Sequence, residues 1–211
     1  MASTVIHMCV AKEMNKKLKK DENKLILGSI APDIGKLVNI GKVLPHFSTI
    51  EDEDIPVFDC FLDKYQKYLD DDFVLGYYIH LYTDYLWFKY FMSEIINKNV
   101  VKKLDGTIVR FDNSNDIFTK FVYNDYTNLN INLFKEYDLD LSIFYDELPK
   151  MDYIIDEIPM DKLDILLKRS VEIINNSKLN KDYIFNTKHV SKFINMCVDI
   201  ILGDLKEKNV I

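Results

Sequence analysis

Apolar residues recur at helical spacing over most of the chain, and the polar interruptions between them place the elements. Ser3 or Thr4 caps a first helix that carries Val5, Met8, Cys9 and Leu18 and ends in the cluster Lys16-Lys17-Leu18-Lys19-Lys20. Lysines in a last turn suit the negative end of the helix dipole, so the cluster needs no anionic partner. The run from Leu25 loses its apolar character at Gly28 and Ser29, and Pro32 biases Ala31 away from helical geometry, which puts Asp33 at a bend. Gly35, Gly41 and Pro45 then mark an irregular loop that delivers His46. Residues 56–69 place Phe58, Phe61, Leu62, Tyr65 and Leu69 on one helical stripe. The longest apolar and aromatic stretch, residues 73–96, follows the acidic start Asp70-Asp71-Asp72. Asp105-Gly106 between β-prone residues predicts a hairpin over residues 100–111. Helical patterns return over residues 115–137, 141–148 and 160–174, and a last helix with Val190, Phe193, Ile194, Cys197, Ile200 and Ile201 begins after a cap at Thr187. The expectation is an all-α fold, one helical domain over residues 1–211, with a small β-hairpin excursion.

Polar groups are few in the central stretch, so each needs a reason. His80 and Asp84 are four residues apart, on one helical face, with Gly76 one turn before them. Glycine inside a helix costs about 1 kcal/mol relative to alanine. Close approach of another element, or of a metal cluster, would offset that cost. An imidazole and a carboxylate on one apolar face can ligate a divalent metal. They can also satisfy each other through a hydrogen bond alone.

Composition narrows the class. The chain has 211 residues, 48% of them hydrophobic, enough for one sizeable core. Lys plus Arg is 27 and Asp plus Glu is 34, a net charge of -7, which argues against nucleic acid as the main partner. An ion at a metal site would still supply local positive charge for an anionic substrate. Cys9, Cys60 and Cys197 form no CxxC motif and suggest free thiols in a reducing compartment. No basic segment followed by an apolar signal core opens the sequence, and no stretch reaches the ~18 uninterrupted apolar residues of a membrane span. A cytoplasmic protein without a transmembrane segment is expected.

The scattered histidines and aspartates share an order. His7, then Gly28-Ser29-Ile30-Ala31-Pro32-Asp33, then His46-Phe47, then Gly76-x3-His80-x3-Asp84-x2-Trp87 resembles the phospholipase C/D domain family. That family holds the zinc-dependent bacterial phospholipases C and the catalytic domain of glycosylphosphatidylinositol-specific phospholipase D. The matching motifs run from His7 to Trp87, and the rest of the chain matches only loosely. The resemblance implies an all-helical fold around a metal cluster. By it, Asp33, His46, His80 and Asp84 hold one zinc, and Asp84 bridges to a second metal that His7 also binds. The secreted members complete that second position with the amine of an N-terminal tryptophan, which this sequence lacks.

The family's phospholipases C carry further histidines and a glutamate after the central helix. The phospholipase D branch has a histidine where this chain has Phe88, and here no histidine occurs between His80 and His189. Asp112, Asp116 and Asp125 could stand in by residue type only. The expected function is therefore a metal-dependent hydrolase of a phosphoester or a phospholipid headgroup. One or two zinc ions are expected on His7, Asp33, His46, His80 and Asp84, with Asp33 also as the catalytic general base. Such a ligand set also suits iron or manganese, so zinc rests on the resemblance. Tyr77 and Tyr82 either orient phosphate oxygens or simply pack in the core. The alternative is a non-catalytic helical protein of the same fold with an incomplete metal site. An HD-type phosphohydrolase needs adjacent His-Asp residues, and none of the four histidines is followed by Asp.

Overall fold

Asp71 starts the central element. Its carboxylate accepts from the N–H groups of Phe73 and Val74 at 3.0 Å each, and caps helix α5, Asp72–Leu86. Asp21 plays the same part for α2, Glu22–Ile30, accepting from Lys24. These two helices lie along one another at the centre of the molecule. At their crossing, each backbone fills the space where the other would carry a side chain. A Cβ on Gly76 would stand 2.2 Å from the Leu25 carbonyl oxygen and 3.0 Å from the Gly28 Cα. A Cβ on Gly28 would stand 2.1 Å from the Phe73 carbonyl oxygen. Gly76 therefore admits a neighbouring backbone, which resolves the first of the two accounts open for it in the sequence.

The computed structural model describes residues 1–140, 142–145, 147–151 and 155–211. It is an all-α helical bundle with a small antiparallel sheet. Helix α1, Thr4–Leu18, is capped by Ser3, whose hydroxyl accepts from the Ile6 N–H at 3.3 Å. It packs on α2 and α5, with α8 (Tyr123–Glu136) and α10 (Thr187–Glu207) around it. Between α2 and α5 lie α3, Ile34–Leu37, and α4, Phe58–Tyr65, while α9 spans Leu163–Asn175. Beyond Leu86 the central helix widens into a π-helical stretch, Trp87–Met92, and ends in α6, Ser93–Ile95. Trp87 is fully buried there, stacked on Phe91 at 4.3 Å and edge-on to Phe193 at 5.0 Å.

The sheet has the order β1-β2-β3, with β1 Ile96–Asn97, β2 Val100–Lys102 and β3 Ile108–Arg110. Val101 pairs with Val109 in the expected hairpin, and Gly106 takes φ +84 at its turn. Strand β1 was not foreseen, because Ile96 closes an apolar run that reads as helix throughout. The sheet is anchored by buried Val101 and by the Leu104 N–H, which donates to the carbonyl of Tyr183, in the segment before α10, at 2.8 Å.

Several expectations need correction. Ala31 is helical, at φ -56 and ψ -38, in a 3-10 turn Ala31–Asp33 that continues α2. Gly28 and Ser29 lie inside α2 and do not end it. A single 3-10 turn tolerates Pro32 because proline's missing N–H costs nothing at a helix start. The last helix is capped by Asn186, and Thr187 is its first helical residue. The stripe over residues 56–69 divides into α4 and a 3-10 turn, Gln66–Tyr68. Residues 115–137 divide into α7 (Ser114–Ile117), a second π-helical stretch (Phe118–Val122) and α8. Of the helix expected over residues 141–148, only a 3-10 turn, Ser142–Phe144, appears, and Leu141 and Asp146 lie outside the described residues. All three cysteines are free, Cys9 and Cys197 buried and Cys60 exposed. Among the described residues, no helix is long and apolar enough to cross a membrane.

Asp125 joins the segment before α10 to α8. Its fully buried carboxylate accepts from the N–H groups of Tyr183 (2.7 Å), Ile184 (2.8 Å) and Phe185 (3.1 Å). Burial pushes its carboxyl up to about 6 against the pull of these donors. Asp125→Ala would strand three backbone donors at about 1–3 kcal/mol each if no water reaches them. Urea denaturation should show several kcal/mol lost, and a loss under ~1 kcal/mol would contradict the anchoring role. Gly76→Ala should be at least as damaging, since the new methyl meets backbone and not a movable side chain. A Gly76→Ala protein with an unchanged thermal midpoint would refute the tight crossing.

Candidate metal centre

Five polar side chains from four segments meet beside the glycine crossing. His7 comes from α1, Asp33 from the turn after α2, His46 from the loop after α3, and His80 and Asp84 from α5. All sit inside apolar surroundings: His7, His80 and Asp84 are fully buried, His46 is 1% exposed and the Asp33 side chain 11%.

The helix crossing sets His80. Its Nδ1 lies 2.7 Å from the Ser29 carbonyl on the facing helix and donates to it. At 3-10 spacing that carbonyl would look to residue 32, and Pro32 has no N–H. The close approach of α2 and α5 brings the imidazole N–H to it instead.

His46 is held by a strained loop. Its Nδ1 donates to the Lys42 carbonyl at 3.1 Å. Phe47 takes φ +51, a left-handed conformation that costs a bulky residue on the order of 1–3 kcal/mol. The Phe47 ring is buried edge-on against Phe61 at 5.3 Å, and the Tyr77 hydroxyl donates to the Pro45 carbonyl at 2.5 Å. These contacts fix the loop on both sides of His46. They also give Tyr77 its role, as a support of the loop. Tyr82 is half-buried and packs on Phe58 at 4.7 Å.

With both Nδ1–H groups committed to carbonyls, the Nε2 of each ring carries a bare lone pair whenever that ring is neutral. These face each other at 3.2 Å. Asp84 Oδ2 is 3.6 Å from each of them, and Asp33 Oδ1 is 3.6 Å from His46 Nε2. Neither carboxylate oxygen has a hydrogen-bond partner. Asp84 Oδ1 accepts from the Ala2 N–H at 2.7 Å and lies 3.4 Å from His7 Nε2. The His7 ring stacks on His80 at 3.8 Å with both nitrogens unpartnered. Four converging acceptors without a donor repel one another, and orphaned buried polar atoms cost about 1–3 kcal/mol each. A divalent cation relieves all of them together, so the residues present fit a metal. Two sets have ligand atoms within 4.8 Å of one another: His7, His80 and Asp84, and Asp33, His46 and His80.

Protonation states favour the same occupant. Burial, with the neighbouring His7, drives His80 well below the ordinary histidine range and keeps it neutral. Burial opposes ionisation of Asp84, but the N-terminal ammonium and His7 outweigh it and hold the carboxyl well below the ordinary range. Asp33 is lowered too: the imidazoles of His46, His80 and His7 outweigh its burial. A neutral His80 and ionised Asp84 and Asp33 are forms that ligate.

The positions weighed as substitutes for the missing ligands do not join this cluster. Asp125 is committed to three backbone donors, and Asp116 is hydrogen-bonded to Asn113 at a helix start. Asp112 is exposed. His189 is exposed and completes the capping box with Asn186, its Nδ1 accepting from the Asn186 N–H at 3.4 Å. Phe88 lines a cavity of about 720 Å³ that opens onto Asp33. Sequence reasoning missed the carbonyls of Ser29 and Lys42, which orient the two imidazoles, and the cavity itself. Pro32 was the one legible sign of the first. Comparison with protein-family models, with curated proteins and with solved structures finds no match to this chain.

Purified protein should carry at least one equivalent of divalent transition metal by elemental analysis. Chelation should lower its thermal midpoint, while His80→Ala should be insensitive to chelator. Because His80 titrates below the ordinary imidazole range, occupancy should persist as pH falls through 6.5 and be lost only in more acidic buffer. Metal-free protein with a chelator-independent midpoint would dismiss the centre.

Proposed function

We propose that the chain is a metal-dependent phosphoester hydrolase of the phospholipase C/D type, with His7, Asp33, His46, His80 and Asp84 holding one or two ions. The observation that carries the reading is the meeting of His46 Nε2, His80 Nε2, Asp84 Oδ2 and Asp33 Oδ1 without a donor among them. Zinc is the metal the resemblance implies, and the nitrogen and oxygen donor set suits it. A divalent ion bound there supplies Lewis acidity and makes a water molecule a competent nucleophile near neutral pH.

The protein's own groups divide the remaining work. His80 and His46, fixed by the Ser29 and Lys42 carbonyls, present their Nε2 lone pairs without reorganisation. Asp84 is fully buried and faces His7, His46 and His80, which suits a role structural to the cluster. Asp33 lines the cavity, where a phosphoester and its attacking water would meet the centre. Its ionised carboxylate is the group placed to take a proton from that water and to pass it to the leaving alkoxide.

One observation favours a non-catalytic reading: Phe88 and the committed Asp125 leave the later part of the family's ligand set without donors. Turnover decides between the two. Bis(p-nitrophenyl) phosphate and p-nitrophenyl phosphate, assayed with zinc, should be hydrolysed by the native protein. His80→Ala should fall to background, and Asp33→Asn should lose about 10²-fold or more. Equal rates for native protein and His80→Ala would leave the metal a structural role only.

A further inference from the structure

Three of the six glycines leave no room for a Cβ, and the helix crossing uses two of them, Gly28 and Gly76. The third is Gly35, buried in α3 two residues after Asp33. A Cβ there would stand 2.2 Å from the Gly41 carbonyl oxygen and 2.6 Å from the Pro45 Cγ. Both neighbours belong to the loop that delivers His46, and Pro45 directly precedes it. Asn39 at φ +60 and Gly41 at φ +80 turn that loop back on α3. The Ile40 N–H donates to the Gly35 carbonyl at 3.1 Å and closes the turn. A Cβ on Gly41 would meet nothing within 4 Å, so that glycine serves its own backbone angle, whereas Gly35 serves a contact.

The contact lies between two candidate ligands of different origin. Asp33 is carried by the turn that continues α2, so its place follows from the helix crossing. His46 comes thirteen positions later and lies outside any helix or strand. Its ring is oriented by the Lys42 carbonyl, and Tyr77 of α5 holds the Pro45 carbonyl. Where the loop stands against the segment of Asp33 is set at Gly35. The separation that results is 3.6 Å between Asp33 Oδ1 and His46 Nε2. The pairs His46–His80, His46–Asp84 and His80–Asp84 stand at 3.2, 3.6 and 3.6 Å. Donors 2.0–2.2 Å from a tetrahedral ion are about 3.3–3.6 Å from one another. The four separations lie within about 0.1 Å of those edges.

We propose that Gly35 is a positioning residue of the metal centre: its contact with Gly41 and Pro45 sets the distance between Asp33 and His46, and with it a four-coordinate geometry. Added volume at position 35 meets the Gly41 carbonyl, which is backbone, so the loop must move as a unit and carry His46 with it. His7, His80 and Asp84 come from α1 and α5, so that set of candidate ligands survives the change. Groups that orient ligands without touching the metal are typically worth about 10–100-fold in affinity. The assignment rests on the metal-binding part of the proposed function and does not depend on hydrolysis.

Cobalt(II) titration of the metal-free protein, followed by visible absorption, tests it, because four-coordinate cobalt absorbs far more strongly than six-coordinate cobalt. The native protein should bind cobalt with the intense four-coordinate band. Gly35→Ala should bind it about tenfold more weakly or worse, with a band reduced severalfold at saturation. Gly203→Ala, in α10 with nothing within 4 Å of the new methyl, should match the native protein in both respects. Pro45→Ala removes the ring atom on the other side of the contact and adds no volume. It should weaken cobalt binding by about threefold or more, and it decides the matter where Gly35→Ala fails to fold. A folded Gly35→Ala protein with native affinity and band overturns the positioning role, as does Pro45→Ala with native values or Gly203→Ala with the same loss. Native protein that binds no cobalt sinks the metal centre and the proposal together. Cobalt binding that responds to Gly35→Ala, in a protein that turns over neither nitrophenyl ester, keeps the positioning role and sinks the hydrolase reading alone.

Discussion

Two backbones touch at Gly28 and Gly76 with no side chain between them, and the arrangement of the centre follows from that contact. Ordinary helix pairs stand 8–10 Å apart, separated by the side chains at their contact. At such a spacing the His80 N–H would not reach the Ser29 carbonyl, and the turn that carries Asp33 would be displaced with α2. The crossing brings the centre's largest contribution, from α5, to a fixed distance from the segment that completes it. Helix α1 then lies on both and adds His7. The loop with His46 is the remaining piece, and it is held by aromatic packing around a left-handed Phe47.

The centre runs against the rest of the core. Elsewhere among the described residues, buried carboxylates are paired: Asp125 with three N–H donors, Asp71 with two, Glu157 with Tyr65 and Lys64. At the centre, acceptors face acceptors, and the apolar surroundings magnify their repulsion. A fold that tolerates this uses part of its stability to keep ligands poised, a pattern typical of sites whose occupant is a cation.

Much of this could be read from the chain. The pair His80 and Asp84 at one-turn spacing, with Gly76 a turn earlier, pointed to a helix face with a special neighbour, and that face carries the centre. A cap at Ser3 or Thr4, the acidic start of the central helix and the turn at Asp105-Gly106 are legible because each rests on local chemistry alone. What was not legible depended on long-range contact. Ala31 reads as non-helical from Pro32, but packing on α5 carries the helix one turn further. Both π-helical stretches have ordinary helical sequence, since one extra residue in a turn leaves no mark on composition.

The widened turns at Trp87–Met92 and Phe118–Val122 also bear on how this chain can vary in length. A π turn is an α turn holding one residue more, so each is a place where a single codon can be lost while the helix on both sides survives. Such a loss would restore regular winding and rotate everything beyond it by about 100°, the angle one residue subtends. For the first stretch, that rotation would carry Phe91 away from its stack on Trp87 and turn the entry into the sheet. The register of one aromatic cluster thus counts residues along the helix, and the first of these turns lies directly after the segments that carry the candidate ligands.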